Sequence, residues 1–226
     1  MRKSVLAGLS ALCVGMCAAG AASAAPDGTG FALGVQGGTT GGGVTAQVGL
    51  GSLIDLRATG DYLALSHDGT YQGVPYRGHW RGETGGAFVD VHPFNNAFLL
   101  SGGAYVGARR LKFDATPQQP TTIGHITYTA AEVGELTGEA KLSDATPFAG
   151  LGFNNTFRTD SHWSFVGLIG VAFSGRPAVT LNSTGGLLSD DPVFQQSLAE
   201  QQAKISNSVR NYRYYPVATL GVAYRF

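Results

Sequence analysis

Past residue 17 the chain has no cysteine; Cys13 and Cys17 both lie close to its start. Everything downstream is therefore barred from disulfides, thiolate metal sites and cysteine nucleophiles. Charge is also scarce, at 13% of residues, with 15 basic and 15 acidic side chains and no basic stripe. That balance excludes a nucleic-acid partner. After the N-terminal segment no apolar run approaches the roughly 18 residues that a membrane-spanning helix needs. The histidines His67, His79, His92 and His125 are scattered without metal-ligand spacing. The many glycines form no phosphate loop; they recur inside strand-like segments, as at Gly34, Gly49 and Gly103, where they admit curvature and close packing. No catalytic, cofactor-binding or metal-binding residue is expected.

What is present begins with an export signal. Arg2 and Lys3 precede a charge-free stretch from Ser4 to Ala25, which closes on the small-x-small pattern Ala22-Ser23-Ala24. Cleavage is expected after Ala24, since a cut after Ala25 would leave Pro26 at the new N-terminus. Leu12 and Met16, directly before the two cysteines, fit a lipoprotein signal badly. The expected organisation is a cleaved signal peptide over 1–24 and one domain over 25–226. Loss of Arg2 and Lys3 leaves 13 basic against 15 acidic residues.

Within that domain the governing pattern has period two, the signature of strands. From Tyr212 to Phe226 the even positions include Tyr214, Ala218, Leu220, Val222, Tyr224 and Phe226, and the odd ones Arg213, Tyr215, Thr219, Gly221 and Arg225. Ile54–Ala64 sets Ile54, Leu56, Ala58 and Tyr62 against Asp55, Arg57, Thr59 and Asp61. Val44–Leu50, Phe98–Arg109 and Trp163–Phe173 alternate similarly. One apolar face and one small or polar face, in segments of about ten residues, is the pattern of a transmembrane β-barrel strand.

Eight such segments are predicted, at 29–37, 42–50, 54–66, 78–92, 97–113, 138–154, 162–182 and 210–226. The fold class is thus all-β, an eight-stranded antiparallel up-and-down transmembrane barrel. Gly51–Leu53, Pro93–Asn96 and Asn155–Ser161 read as short periplasmic turns. His67–Arg77, Asp114–Thr137 and Ser183–Val209 read as longer outer loops. Gly38–Gly41 is either a tight turn between two strands or a bend within one strand over 29–50. Asp190-Asp191-Pro192, followed by Phe194, Leu198, Ile205 and Val209 near helical spacing, predicts a short helix near 191–206. Thr129 followed by Glu132 predicts a capping box.

Several words in the chain resemble a known family. They are Gly38-Thr39-Thr40-Gly41, Thr121-Thr122-Ile123-Gly124, Tyr128-Thr129-Ala130-Ala131-Glu132-Val133-Gly134 and Thr146-Pro147-Phe148-Ala149-Gly150-Leu151-Gly152. To these add Gly175-Arg176-Pro177-Ala178-Val179-Thr180-Leu181 and Tyr215-Pro216-Val217 leading into Gly221-Val222-Ala223-Tyr224-Arg225-Phe226. The chain resembles small outer-membrane barrels of the CarO type and, more distantly, the OmpW type. The resemblance implies an eight-stranded barrel in the cell outer membrane and a role in the passage of small solutes such as amino acids. The terminal Phe226, with Tyr224 and Val222 on its face, resembles the signal read by the barrel assembly machinery. Other expected partners are outer-membrane lipids and lipopolysaccharide, and the barrel is expected to be a monomer.

Alternation nominates the polar lumen residues Gln36, Gln47, Asp55, Arg57, Asp61, Arg81, Glu83, Tyr105, Arg109, Arg213 and Tyr215. The interior of an eight-stranded barrel is only just wide enough to be filled by side chains, and charges buried there must pair. Two readings follow: an ion-paired plug in a structural or surface-interaction barrel, or a polar track admitting a small zwitterion. His162-Trp163-Ser164 is superficially like the His-x-Ser of lipid A deacylases. Alternation turns Ser164 inward, away from lipid, so no enzyme is expected.

Overall fold

The computed structural model describes residues 28–71, 74–209 and 213–226. The expected signal peptide, 1–24, lies outside the described residues. The strands are β1 (Thr29–Gly38), β2 (Gly41–Leu50), β3 (Ile54–Tyr71), β4 (Val74–Val91), β5 (Phe98–Ala115), β6 (Thr121–Ile123), β7 (Ile126–Tyr128), β8 (Gly134–Lys141), β9 (Ala145–Asn154), β10 (Trp163–Phe173), β11 (Ala178–Gly185) and β12 (Tyr214–Arg225). The helices are α1 (Ala130–Val133) and α2 (Pro192–Val209).

Antiparallel pairing runs β1–β2–β3–β4–β5–β9–β10–β12 and returns from β12 to β1, closing an eight-stranded barrel. The residues predicted at 29–50 form two strands. Gly38 pairs with Gly41 across Thr39 and Thr40, and Gly41 has φ +109°. The turn is fastened to β12: the Thr39 amide donates to the Ala218 carbonyl at 3.0 Å and its hydroxyl to the Pro216 carbonyl at 3.1 Å.

Two predicted strands are interrupted. The segment 138–154 divides into β8 and β9, and 162–182 into β10 and β11. The second break holds Pro177, which has no N–H to give a ladder. Backbone bonds bridge the first, from Leu142 N to the Arg109 carbonyl and from Gly107 N to the Asp144 carbonyl. Beyond the breaks β8 stays on β5, and β11 stays on β8.

The outer loop expected at His67–Arg77 is instead a continuation of the β3–β4 hairpin, paired through Tyr71 and Val74. Here both faces are polar or mixed, so the side chains carry no period-two signal while the backbone ladder propagates.

Outward positions carry a belt of exposed apolar side chains, among them Val35, Val44, Leu56, Val89, Leu151, Phe165 and Leu220. Aromatic contacts edge it. At one end, called the foot, Phe31 stacks on Phe226, and Tyr224 meets both Trp163 and Phe226. At the opposite end, the mouth, Phe173 meets Tyr214. Among the described residues no helix is long and apolar enough to cross a membrane, which leaves strand crossing untouched.

A small head extends the mouth. Its own core is Ile123, Tyr128, Val133, Phe194 and Leu198, with Leu136 and Leu181 beneath. Helix α2 starts as predicted: Asp191 Oδ1 accepts from the amides of Val193 and Phe194 at 2.9 and 3.0 Å. At α1 the Glu132 carboxylate accepts both the amide and the hydroxyl of Thr129. These bonds hold its pKa below the ordinary carboxylate value, the backbone bond contributing most.

Candidate functional site in the barrel lumen

Inward side chains fill the barrel in four levels. At the foot, the turn after β9 folds back into the opening and seats the ring of Phe157, which is fully buried. Gly30 and Gly49, a cross-strand pair, leave the space for it. A Cβ at Gly49 would lie 2.9 Å from Phe157 Cγ. Asn154 fixes this turn, donating to Gln47 Oε1 at 2.8 Å and accepting from the Thr156 amide and hydroxyl. Arg158 reaches Asp55 Oδ2 at 2.9 Å and the Ser52 carbonyl at 3.0 Å. His92 sits between Asp55, 2.9 Å from Nε2, and the Asn96 carbonyl, 2.8 Å from Nδ1. Each ring nitrogen thus faces an oxygen, which fixes the ring between β3 and the turn after β4.

The next level is an ion pair. Arg57 donates from Nε to Asp90 Oδ2 at 2.7 Å and from Nη2 to Oδ1 at 3.2 Å. A further bond from Nη2 to Ser101 Oγ measures 3.0 Å. The guanidinium carbon stands 4.3 Å from the centre of the Phe88 ring. This bidentate arrangement satisfies both partners, as a buried pair requires.

Above it, Phe88, Tyr105 and Phe148 meet edge to face, with centroids 4.8–5.6 Å apart. Leu168 and Val217 complete the layer. Near the mouth Asp61 accepts from Gln36 at 2.7 Å, and Arg109 donates to Thr146 at 3.0 Å while facing the Tyr105 and Tyr215 rings. Asp61 Oδ2, Arg109 Nε and the hydroxyls of Thr45, Thr59 and Thr84 have no hydrogen-bond partner within the protein. Tyr215 closes over them, donating to the Thr39 carbonyl and stacking on Trp80.

The structure therefore turns Gln36, Gln47, Asp55, Arg57, Asp61, Tyr105, Arg109 and Tyr215 inward, but three nominated residues lie elsewhere. Arg81 and Glu83 share the outward parity of Val89 and Val91 and pair with each other on the surface at 2.9 Å. The glycines Gly82, Gly85 and Gly86 leave no apolar residue to mark the faces there, so charge was a false sign of the interior. Arg213 precedes β12 and is exposed; its carbonyl accepts from the Ser174 amide at 2.8 Å.

Sequence reasoning missed Asp90, His92, Asn154, Phe157 and Arg158. Alternation could have found Asp90 and His92, which interleave with Val89 and Val91. Nothing local distinguishes Phe157 within an exposed-looking turn. Ser164, of the His-x-Ser pattern, is a buried structural hydroxyl bonded to Thr156 and to the Ala223 carbonyl. Among the described residues no group of three His, Cys, Asp or Glu side chains could hold a metal ion.

A closed eight-stranded antiparallel barrel with an apolar outer belt and a polar and aromatic filling is the architecture of small barrels of the outer-membrane type. In particular the fold is that of CarO-type barrels. It is similar to Acinetobacter baumannii CarO2, at 18% identity and TM-score 0.58, over 88% of this chain and 99% of that one. It is equally similar to A. baumannii CarO, at 17% identity and TM-score 0.57, over 86% and 97% of the two chains. No family model matches the chain, and no curated protein matches it by sequence.

Proposed function

We propose that this protein is exported to the outer membrane and works there as a closed barrel, a structural and surface-presenting element and not an open pore. The observation that carries this reading is the filled lumen. Each of the eight barrel strands contributes a buried inward side chain, for example Ala32, Gln47, Arg57, Phe88, Tyr105, Phe148, Leu168 and Val217. An apolar outer belt supports the membrane placement, since soluble monomers rarely expose contiguous apolar surface on that scale. The head around α2 is the part displayed beyond the mouth. Planar-bilayer recording and liposome swelling with glycine-sized solutes test the reading. Folded protein should be silent in both, and discrete conductance steps or solute-dependent swelling would overturn it.

A second reading, passage of a small zwitterion, draws support from one feature: the unpartnered Asp61 Oδ2 and Arg109 Nε near the mouth. An ammonium and a carboxylate would match them without leaving uncompensated charge. This route needs the aromatic layer below to move aside. Amino-acid uptake into proteoliposomes that is abolished by Asp61→Asn with Arg109→Met would favour it over the closed barrel.

A further inference from the structure

On the outward face, the row following Tyr62 is cationic. Strand pairing places Ala64, Arg81, Arg110 and Lys141 side by side across β3, β4, β5 and β8. The next row sets His79 and Lys112 side by side, with Glu139 of β8 directly across from Lys112. With strands about 4.8 Å apart, the three cations of the first row span roughly 10 Å. Tyr62, His79, Arg81, Arg110 and Lys112 line a surface hollow of about 470 Å³. Nearby carboxylates engage these cations only at the surface. Glu83 holds exposed Arg81 at 2.9 Å, Asp144 holds Lys141 at 3.1 Å, and Glu139 stands 3.9 Å from Arg110. Such pairs are weak and yield readily to a competing anion.

Lower on the same face the side chains become small and apolar. Ala46, Ala58, Ala87 and Ala104 form one row across β2 to β5. The first three floor a second hollow of about 400 Å³, with Val48, Leu56 and Val89 along it. Ala87 and Arg81 are six residues apart on one strand, about 20 Å, roughly the length of a fatty acyl chain. Cations over an apolar shelf of that depth match a phosphorylated lipid. A soluble acidic protein would meet the cations but leave the shelf uncovered.

We propose that the outward face of β3–β5 and β8 binds one phosphorylated glycolipid, lipopolysaccharide. Its lipid A phosphate lies among Arg81, Arg110 and Lys112, and an acyl chain runs down the strands from there to the alanine row. The site rests on the outer-membrane placement above and is independent of whether the lumen conducts.

The test is titration of the refolded full chain in detergent micelles, read by native mass spectrometry. Three probes are compared: bisphosphorylated lipid A, its dephosphorylated form, and the deacylated glucosamine phosphate. Lipid A should bind at least about tenfold more tightly than either of the others. Arg110→Gln with Lys112→Gln should remove most of that preference, while Lys204→Gln in the head should not. Equal binding of the phosphorylated and dephosphorylated lipids, or full affinity in the double variant, would overturn the proposal. So would deacylated probe binding as tightly as lipid A, which would make this a site for soluble anions. If the double variant does not refold, the three-probe comparison on the unsubstituted protein decides alone. Cell fractionation examines the membrane placement separately, so its failure would be distinguishable from failure of lipid binding.

Discussion

Arg57 and Asp90 face each other inside the barrel through two hydrogen bonds, with side chains 3% and 0% exposed. Neither charge can reach water without its partner. Asp90→Ala should therefore destabilise the barrel by about 3–5 kcal/mol, the usual cost of orphaning a buried charge. Arg57→Met alone should cost a similar amount. The double variant should cost clearly less than the sum, because no unpaired charge remains. The temperature at which the folded band converts to the unfolded form on a denaturing gel reads this directly. Strict additivity would mean that the two residues do not act as a pair.

Phe157 closes the foot, and its removal separates stability from conduction. Phe157→Ala should cost about 3–5 kcal/mol by the general cost of emptying a buried aromatic site. It should nevertheless remain silent in planar bilayers, because the Phe88, Tyr105 and Phe148 layer stands intact above it. A conducting Phe157→Ala barrel would place the seal at the turn alone.

These two contacts mark how far the sequence could be read. The eight strands and their inward faces were legible wherever apolar and polar residues alternate within the belt, as in Ile54–Ala64. Arg57 and Asp55 followed from that parity. Their partners were only half visible. Asp90 and His92 keep the alternation, but Arg158 belongs to the turn that carries Phe157, whose inward fold depends on tertiary packing over Gly30 and Gly49. Parity failed at Arg81 and Glu83 because glycines erase the apolar mark on β4 and because charge returns to the outer face beyond the belt. The strand continuation through 67–77, where a loop was expected, was missed for a related reason: past the belt both faces of a strand can be wet, and a hydrogen-bonded ladder no longer writes itself into side-chain periodicity.

Outward and inward parity can be checked on β12. Leu220 lies outside at 75% exposure, opposite Gly37 and Gly167, and Thr219 lies inside at 6%. Leu220→Arg should weaken membrane insertion by about 2–4 kcal/mol if it sits near the bilayer midplane. Leu220→Val should be close to neutral, since it keeps the apolar face. Folding yield into liposomes across a urea series gives both numbers. Indifference to Leu220→Arg would show that this face does not meet lipid.

The head offers a pH test that the barrel does not share. Glu132 has its pKa lowered by the amide and hydroxyl of Thr129, so folding favours its charged form. A carboxylate with a depressed folded pKa contributes stability that is fully present above its ordinary value, 4.5. That contribution falls away as the pH drops through the lowered folded value. Amide exchange at Thr129 should therefore be slow at neutral pH and accelerate, relative to the intrinsic rate, only in the acid range. Glu132→Gln should flatten this pH dependence while leaving the heat-modifiable barrel unchanged, because the core around Phe194 is separate from the one around Phe88. If Glu132→Gln shifts the barrel's own transition, the two cores are coupled and the head is an integral part of the barrel's cooperative unit.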